Sequence, residues 1–295
     1  MVINGSSLTA TFVEYRAAFQ GAFDAADAEF EMITGQETLG KQRSVKMYWG
    51  GQVPTMRKYV GDAQFDQIDV FNWEIGIDKY QAGLEIKRED FDDDNLGWVR
   101  PYVAGLGVEA RQHPGRELVK LLEAGDTTLC YDGQFFFDTD HKDGDGPVQS
   151  NKITGAPSET KLQEMRQTMA RLKDMKGRPM PRRLTHIVCP PEQEQTWKKI
   201  LAAEYGANGS TNVEKGAAKL VVLNHLTSAL KWYGFDLSTP FRPLMLFWRD
   251  RPEFTAQDSL TDEQAFLREV FRYKVRSRFG FGYGLWQFAC MSTGS

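Results

Sequence analysis

The sequence predicts an α+β fold, and three patterns carry that prediction. Leu96, Val99, Val103, Leu106 and Ala110, then Leu118, Leu121 and Leu122, recur at helical spacing and mark one long, bent helix from about Gly97 to Ala124. Phe71, Trp73, Ile75 and Ile77 alternate with polar or small residues; after a parity change, so do Tyr80, Ala82, Leu84 and Ile86. Near the end of the chain Phe271, Tyr273, Val275, Phe279, Phe281, Tyr283 and Leu285 share one parity, and Arg272, Lys274, Arg276, Arg278, Gly280, Gly282 and Gly284 share the other. That is a long strand buried on one face, whose glycines permit a bulge or the close approach of another backbone.

In chain order, Leu8, Phe12, Tyr15 and Phe19 give an amphipathic N-terminal helix or arm, capped by Ser6 or Ser7, whose apolar stripe needs a partner surface. Ser44 to Gly61 has no clean period and reads as extended chain with turns, an excursion from the core. A two-residue turn at Asp78-Lys79 would set Ile77 against Tyr80, Ile75 against Ala82, Trp73 against Leu84 and Phe71 against Ile86. Such a hairpin, greasy on one face, is marginal alone and must lie on its own subunit or on a neighbour.

The acidic run Asp90 to Asn95 suits the free amides at the start of the long helix, Pro101 fits its first turn, His113-Pro114 should kink or restart it, and Gly125 should cap it. Asp132-Gly133, between Cys130-Tyr131 and Phe135-Phe136-Phe137, signals a hairpin. A loop from Lys142 to Pro157 leads to a helix from Ser158 that aligns Leu162, Met165, Met169 and Leu172, and Pro179 and Pro181 mark a boundary. Beyond it, Leu184 to Cys189 reads as a strand and Pro190-Pro191 opens a helix carrying Trp197, Ile200 and Leu201. Strand-like segments follow at Leu220–Leu223, Leu230–Leu237, Leu244–Trp248 and, after the long strand, Leu285–Ala289.

Composition narrows the function. The chain has 295 residues, 41% hydrophobic and 26% charged, which suits two domains or one elaborate one and excludes disordered, collagenous and disulfide-framework chains. Lys+Arg 36 against Asp+Glu 40 gives a net charge of -4, which argues against sequence-specific DNA binding. Cys130, Cys189 and Cys290 form no CxxC pair. The opening residues carry no basic or apolar signal region, and the longest apolar stretch, Leu244 to Trp248, is too short for a bilayer, so the expectation is a cytoplasmic chain with no membrane partner.

The chemical motifs are weak. Asp138 to Gly146 has the look of a calcium loop, but Lys142 stands where a ligand is needed and no distal carboxylate follows, so a solvated turn is expected. Cys130 with His141 or His186 could be drawn as a thiol and base, yet a cysteine inside a hairpin strand is more often buried and inert. The four histidines, His113, His141, His186 and His225, have no zinc-site spacing. Gly280 to Gly284 lacks the following helix of a phosphate loop, and Asp92-Asp93-Asp94 suits a helix start or an inter-subunit ion pair better than Mg²⁺. No catalytic, cofactor or metal site is predicted. Contact devices abound, and they favour an assembly subunit. The interface candidates are Trp49, Met56, Phe71, Trp73, Ile75, Ile77, Tyr80, Leu84, Asp92, Asp93 and Asp94.

Particular motifs sharpen this. Trp49 through Pro54-Thr55-Met56-Arg57 and Gly61, Asn72-Trp73-Glu74-Ile75, Asp93-Asp94 with Gly97, Gly125 through Cys130-Tyr131-Asp132-Gly133, Phe136-Phe137-Asp138-Thr139-Asp140-His141 and Tyr283-Gly284-Leu285-Trp286-Gln287 are in the order and form of one family. The chain resembles the Hong Kong 97-type capsid proteins of tailed bacteriophages, and specifically the Mu-like major head subunit (gpT) family, over nearly its full length. Lys142 departs from that pattern, where proline usually follows the histidine.

The resemblance implies an N-terminal arm over residues 1–39, an E-loop with a β-hairpin over 40–85, a peripheral P-domain over 86–183 plus 270–295, and an axial A-domain over 184–269. It implies a structural protein with no active site or cofactor, assembling non-covalently into hexamers and pentamers of an icosahedral shell around double-stranded DNA. Scaffold and portal proteins and a decoration protein are the implied partners, and the virion, assembled in the bacterial host cytoplasm, the implied location. Arg272, Lys274, Arg276 and Arg278 would face the genome or pair with acidic segments such as Asp92 to Asp94. The alternatives are an encapsulin-like compartment shell and a thiol- or metal-dependent hydrolase using Cys130, His141 and nearby aspartates.

Overall fold

The computed structural model describes residues 5–50, 58, 70–93, 97–142, 146–174, 177–205 and 209–294. The chain begins with α1 (Gly5–Ala25), β1 (Gly35–Thr38), β2 (Ser44–Gly50), β3 (Val70–Gly76), β4 (Asp78–Lys87), α2 (Arg88–Asp92) and α3 (Val99–Glu123). It continues with β5 (Lys152–Ile153), α4 (Glu159–Ala170), β6 (His186–Cys189), α5 (Glu194–Ala202), β7 (Lys219–Val222) and β8 (Trp232–Phe235). β9 (Leu244–Gln257), α6 (Glu263–Arg268), β10 (Val270–Tyr283) and β11 (Ala289–Ser292) complete it. The strands form a four-stranded sheet ordered β1-β9-β10-β4, a five-stranded sheet ordered β5-β11-β8-β6-β7, and a separate ribbon of β2 and β3. The mixture of helices and sheets is α+β, as expected.

β10 organises the first sheet. It pairs antiparallel with β4 from Val270↔Lys87 to Phe279↔Asp78, and with β9 along its length. Its buried parity, Phe271, Tyr273, Val275 and Phe279, faces the helices. α1 docks there: Phe19 and Phe12 stack on Phe254, and Tyr15 meets Tyr273 edge-on at 5.2 Å. The partner surface that the N-terminal helix requires is thus supplied by its own subunit. Burial of Leu8, Tyr15 and Phe19 stabilises this docking by roughly 1.5–3 kcal/mol per side chain.

Three local expectations are corrected. β3 and β4 do not form a hairpin: β3 pairs with β2, setting Trp49 against Phe71, Met47 against Trp73 and Val45 against Ile75. The favoured type I′ turn needs positive φ at both central residues. Among described non-glycine residues only Glu269 has it, so Asp78 and Lys79 continue as strand and β4 passes to β10. The acidic run does not cap the long helix. Phe91 is buried edge-on against Phe271 at 4.9 Å, which draws residues 88–92 into the separate turn α2, and α3 begins after Trp98 with no carboxylate in its first turn. Gly125 is not a left-handed cap; a Cβ there would stand 2.7 Å from the Phe137 ring, so glycine is required by packing. α3 itself runs unbroken through Pro114, with Pro101 in its first turn.

The five-stranded sheet carries α4 and α5 on one face. The Ser158 hydroxyl accepts the Lys161 N–H at the start of α4, and Leu162, Met165 and Met169 pack with Leu184, Ile187, Trp197 and Trp232. Residues 286–288 form a short 3-10 turn where a strand was expected, because Trp286 is drawn into the core against His141. β9 sits in the first sheet because it and β10 form one long antiparallel pair; β5 and β11 pair into the second, on which α4 packs. No described helix is long and apolar enough to cross a membrane.

The glycine parity of β10 admits the base of the ribbon. A Cβ at Gly280 would stand 2.1 Å from the Gly76 carbonyl oxygen, and one at Gly282 would stand 2.0 Å from Ile75 Cδ1. Gly280→Ala therefore meets backbone, and Gly282→Ala meets the movable end of a side chain. Gly280→Ala is expected to cost about 1–3 kcal/mol as an overpacking change, and more than Gly282→Ala. Thermal unfolding of the two variants measures the order, and equal midpoints would refute it.

Candidate assembly surfaces

The ribbon is the element least supported by its own subunit. It belongs to neither larger sheet, and its base is held by the Ile77 N–H donating to the Arg43 carbonyl at 3.3 Å, by a Ser44–Glu74 hydrogen bond, and by Ile75, which is buried over Gly282. Trp73 is half-buried, and Trp49 and Phe71 face each other in register. Met56 and Asp94 lie outside the described residues. Ile77 is half-buried near Gly280. Tyr80 stacks on Phe279 at 4.5 Å and Leu84 packs on the α1 side of the sheet, so both face inward. Asp92 ends α2 and Asp93, exposed, follows it.

The basic parity of β10 is compensated across the strands. Arg272 lies 2.7 Å from Glu85, Arg276 3.3 Å from Glu253 and Arg278 3.7 Å from Asp250. Their partners are thus carboxylates of adjacent strands in the same subunit, legible only once the register is known. Other contact features gave no sequence signal: Phe266 and Leu267 of α6 are 81% and 64% exposed at the turn between β9 and β10, and Trp98 and Tyr102 meet edge-on at the exposed start of α3.

Beside the apolar cluster that the two sheets share, the end of α3 is tied to the loop before β8 by polar contacts. The Glu123 carboxylate, at the end of α3, accepts the N–H groups of Thr227 (2.7 Å) and Ser228 (3.0 Å) and the Thr227 hydroxyl, while Lys231 pairs with Asp126 at 2.7 Å. Beside it lies the 130–134 turn, a three-residue hairpin loop in which Gly133 takes φ 81 and the Cys130 N–H donates to Gln134. The Asp138–Gly146 segment is in part the solvated turn expected, since Thr139, Asp140 and Lys142 are exposed, but His141 is drawn inside, and residues 143–145 lie outside the described residues. Asn151 donates through Nδ2 to the carbonyls of Phe136 (2.8 Å) and Trp286 (3.4 Å), and accepts the Asp138 N–H at Oδ1 (2.9 Å). His141, fully buried, has Nδ1 2.7 Å from Asp132 Oδ2 and Nε2 3.2 Å from Asn151 Oδ1. Its ring stacks on Trp286 at 4.1 Å. These contacts bury a histidine that the loop's polar composition suggested was wet.

This arrangement holds the fold, and its cysteines are buried. Cys130 is buried, and burial pushes the Cys189 thiol up to about 12 and raises Cys290 too, so the thiolate needed for a nucleophile is disfavoured there. His113 and His186 are pushed down from the ordinary histidine value chiefly by burial. Among the described residues no group of three or more His, Cys, Asp or Glu could hold a metal ion.

Comparison with solved structures gives the class. The procapsid of bacteriophage JBD30 matches with a TM-score of 0.64 at 27% identity, covering 99% of this chain and 77% of that one. The capsid of cyanophage P-SCSP1u shares the fold at 13% identity and a TM-score of 0.59, covering 92% of this chain and 89% of that one. The architecture is the Hong Kong 97-type phage capsid fold. The chain belongs to the family of the Mu-like prophage major head subunit gpT, whose model matches residues 8–161, 155–226 and 227–295. It is 26% identical to the major capsid protein of Escherichia phage Mu over 294 residues, 100% of this chain and 76% of that protein. It is 28% identical to the Mu-like prophage FluMu major head subunit of Haemophilus influenzae over 282 residues, 95% of this chain and 71% of that protein. Its role is that of a major capsid protein, structural and not enzymatic.

Asn151→Leu leaves the Asp138 N–H, the Phe136 carbonyl and His141 Nε2 without their partner. The expected loss is about 3 kcal/mol or more, since each unsatisfied buried group costs about 1–3 kcal/mol. Denaturant unfolding of the variant checks this, and a loss below about 1 kcal/mol would contradict the assigned network.

Proposed function

We propose that this chain self-assembles into hexamers and pentamers of an icosahedral shell that encloses double-stranded DNA, and that it does so in the bacterial host cytoplasm with scaffold and portal proteins. The observation that carries the reading is the β2–β3 ribbon, a two-stranded element outside both sheets and anchored at its base. A ribbon of that kind is marginal in isolation and gains stability by lying on a neighbour. In this assignment Trp49, Met56, Phe71 and Trp73 contact the adjacent subunit, Ile75, Ile77, Tyr80 and Leu84 fix the ribbon's base and the following strand, and Asp92, Asp93 and Asp94 enter ion pairs between subunits.

The proposed division is an arm over residues 1–39, an E-loop over 40–85, a P-domain over 86–183 plus 270–295 and an A-domain over 184–269, with β9 and β11 the strands that cross between the two larger parts. The JBD30 capsid has been solved decorated with minor capsid protein trimers, and we extend a decoration partner of that kind to this chain. A net charge of -4 and cross-strand pairing of three arginines limit phosphate contacts, which favours release of packaged DNA.

Replacing residues 46–74 with a short Gly-Ser linker is the direct test. Sedimentation and negative-stain microscopy should show closed shells from the wild type and folded, unassembled subunits from the variant. Closed shells from the variant would overturn the role given to the ribbon, and a wild type that stays monomeric or dimeric even with its scaffold would overturn the shell reading.

A further inference from the structure

Building on the shell role, we infer that the polar face of the four-stranded sheet receives a second copy of this chain, with the Lys274 ammonium binding a carboxylate of that copy. Three rows of residues cross β4, β10 and β9 on this face. One reads Glu85–Arg272–Gln257, with Arg272 2.7 Å from Glu85, and another reads Gln81–Arg276–Glu253, with Arg276 3.3 Å from Glu253. The row between them reads Gly83–Lys274–Thr255 and supplies no carboxylate. Lys274 is exposed and, among the described residues, has no ion-pair partner.

The same residues line a hollow of about 800 Å³, bounded by Gln81, Gly83, Glu85, Thr255, Gln257 and Arg272 around Lys274. Gly83 contributes no side chain to fill it. The hollow therefore holds an unpaired cation between two ion pairs that are already closed. A carboxylate entering it accepts a charge-assisted bond from the ammonium.

The charge of the face points to the occupant. Lys79, Lys87, Arg272, Lys274, Arg276 and Arg278 stand on it against Glu85, Glu253 and Asp250, and those three carboxylates are each paired with an arginine, so the face has cations to spare for an acidic surface. In a shell the surroundings of each subunit are other copies, and this chain has a carboxylate surplus, Asp+Glu 40 against Lys+Arg 36. An exposed pair of this type changes one contact by roughly two- to fivefold, and the change recurs at every subunit.

The test compares full-length wild type with Lys274→Arg, Lys274→Met and Lys274→Glu. Sedimentation velocity and negative-stain microscopy would give the subunit concentration at which shells form, in low and high NaCl, with thermal melting as the control for folding. Lys274→Arg should match wild type. Lys274→Met should need a higher concentration, by at least the two- to fivefold of one contact, and should lose part of the salt dependence. Lys274→Glu should melt like wild type and form no shells where wild type does. Assembly of the Met and Glu variants at the wild-type concentration and salt dependence would overturn the inference. So would normal shells that have lost only DNA, scaffold or decoration protein, since the hollow would then belong to that partner. A wild type that forms no shells would remove the shell reading and this inference with it.

Discussion

The pairing of β10 with its two neighbours is the constraint on which the rest depends. One parity of that strand buries Phe271, Tyr273, Val275 and Phe279 under α1 and α3, while the other holds arginines against carboxylates of β4 and β9 and then turns to glycine. A slip of one residue would invert both faces at once, putting arginines under the helices and aromatics in solvent. Burial therefore specifies the register, and the register in turn sets the ion pairs, the seat of the N-terminal helix and the point where the ribbon leaves.

The second sheet meets the first through one apolar cluster, in which Val188, Val221, Tyr233 and Phe235 join Leu244, Leu246, Trp248, Phe279 and Tyr283, and buried polar groups beside it fix the fit. Asn151 and His141 knit the 130–141 segment to Trp286, where the chain leaves β10 for β11, and the Tyr131 and Gln287 side chains hydrogen-bond to each other beside them. Buried polar groups of this kind are costly when half-satisfied and specifying when complete. The Asp138–His141 motif, one of those that looked chemical in the sequence, thus takes part in holding these segments together.

Elements that bury one face on their own subunit were legible in the sequence. The spacing of Leu118 and Leu122, the alternation from Phe271 to Tyr283 and the Ser158 cap each state their structure locally, and the motifs between Trp49 and His141 carried the family and hence the shell role. What was not legible is partnership. Alternation says that Trp73 and Leu84 lie on strands, but not that β2, earlier in the chain, takes β3 while β10 takes β4. The burial of His141 depends on Trp286, distant in sequence, and the partners of Arg272, Arg276 and Arg278 depend on register. The exposed Phe266 and Leu267 of α6 went unmarked because two apolar residues on one short helix have no period.

Glu123 has a mechanical meaning. One carboxylate at the end of the long helix accepts three hydrogen bonds from the loop that leads into β8, which ties α3 to the second sheet. In the proposed shell, a surface tiled by rings of five and of six copies changes its curvature from ring to ring. The ribbon at Gly280 and the α6 turn between β9 and β10 lie outside both sheets, so a change of contact there leaves the apolar cluster that the sheets share untouched.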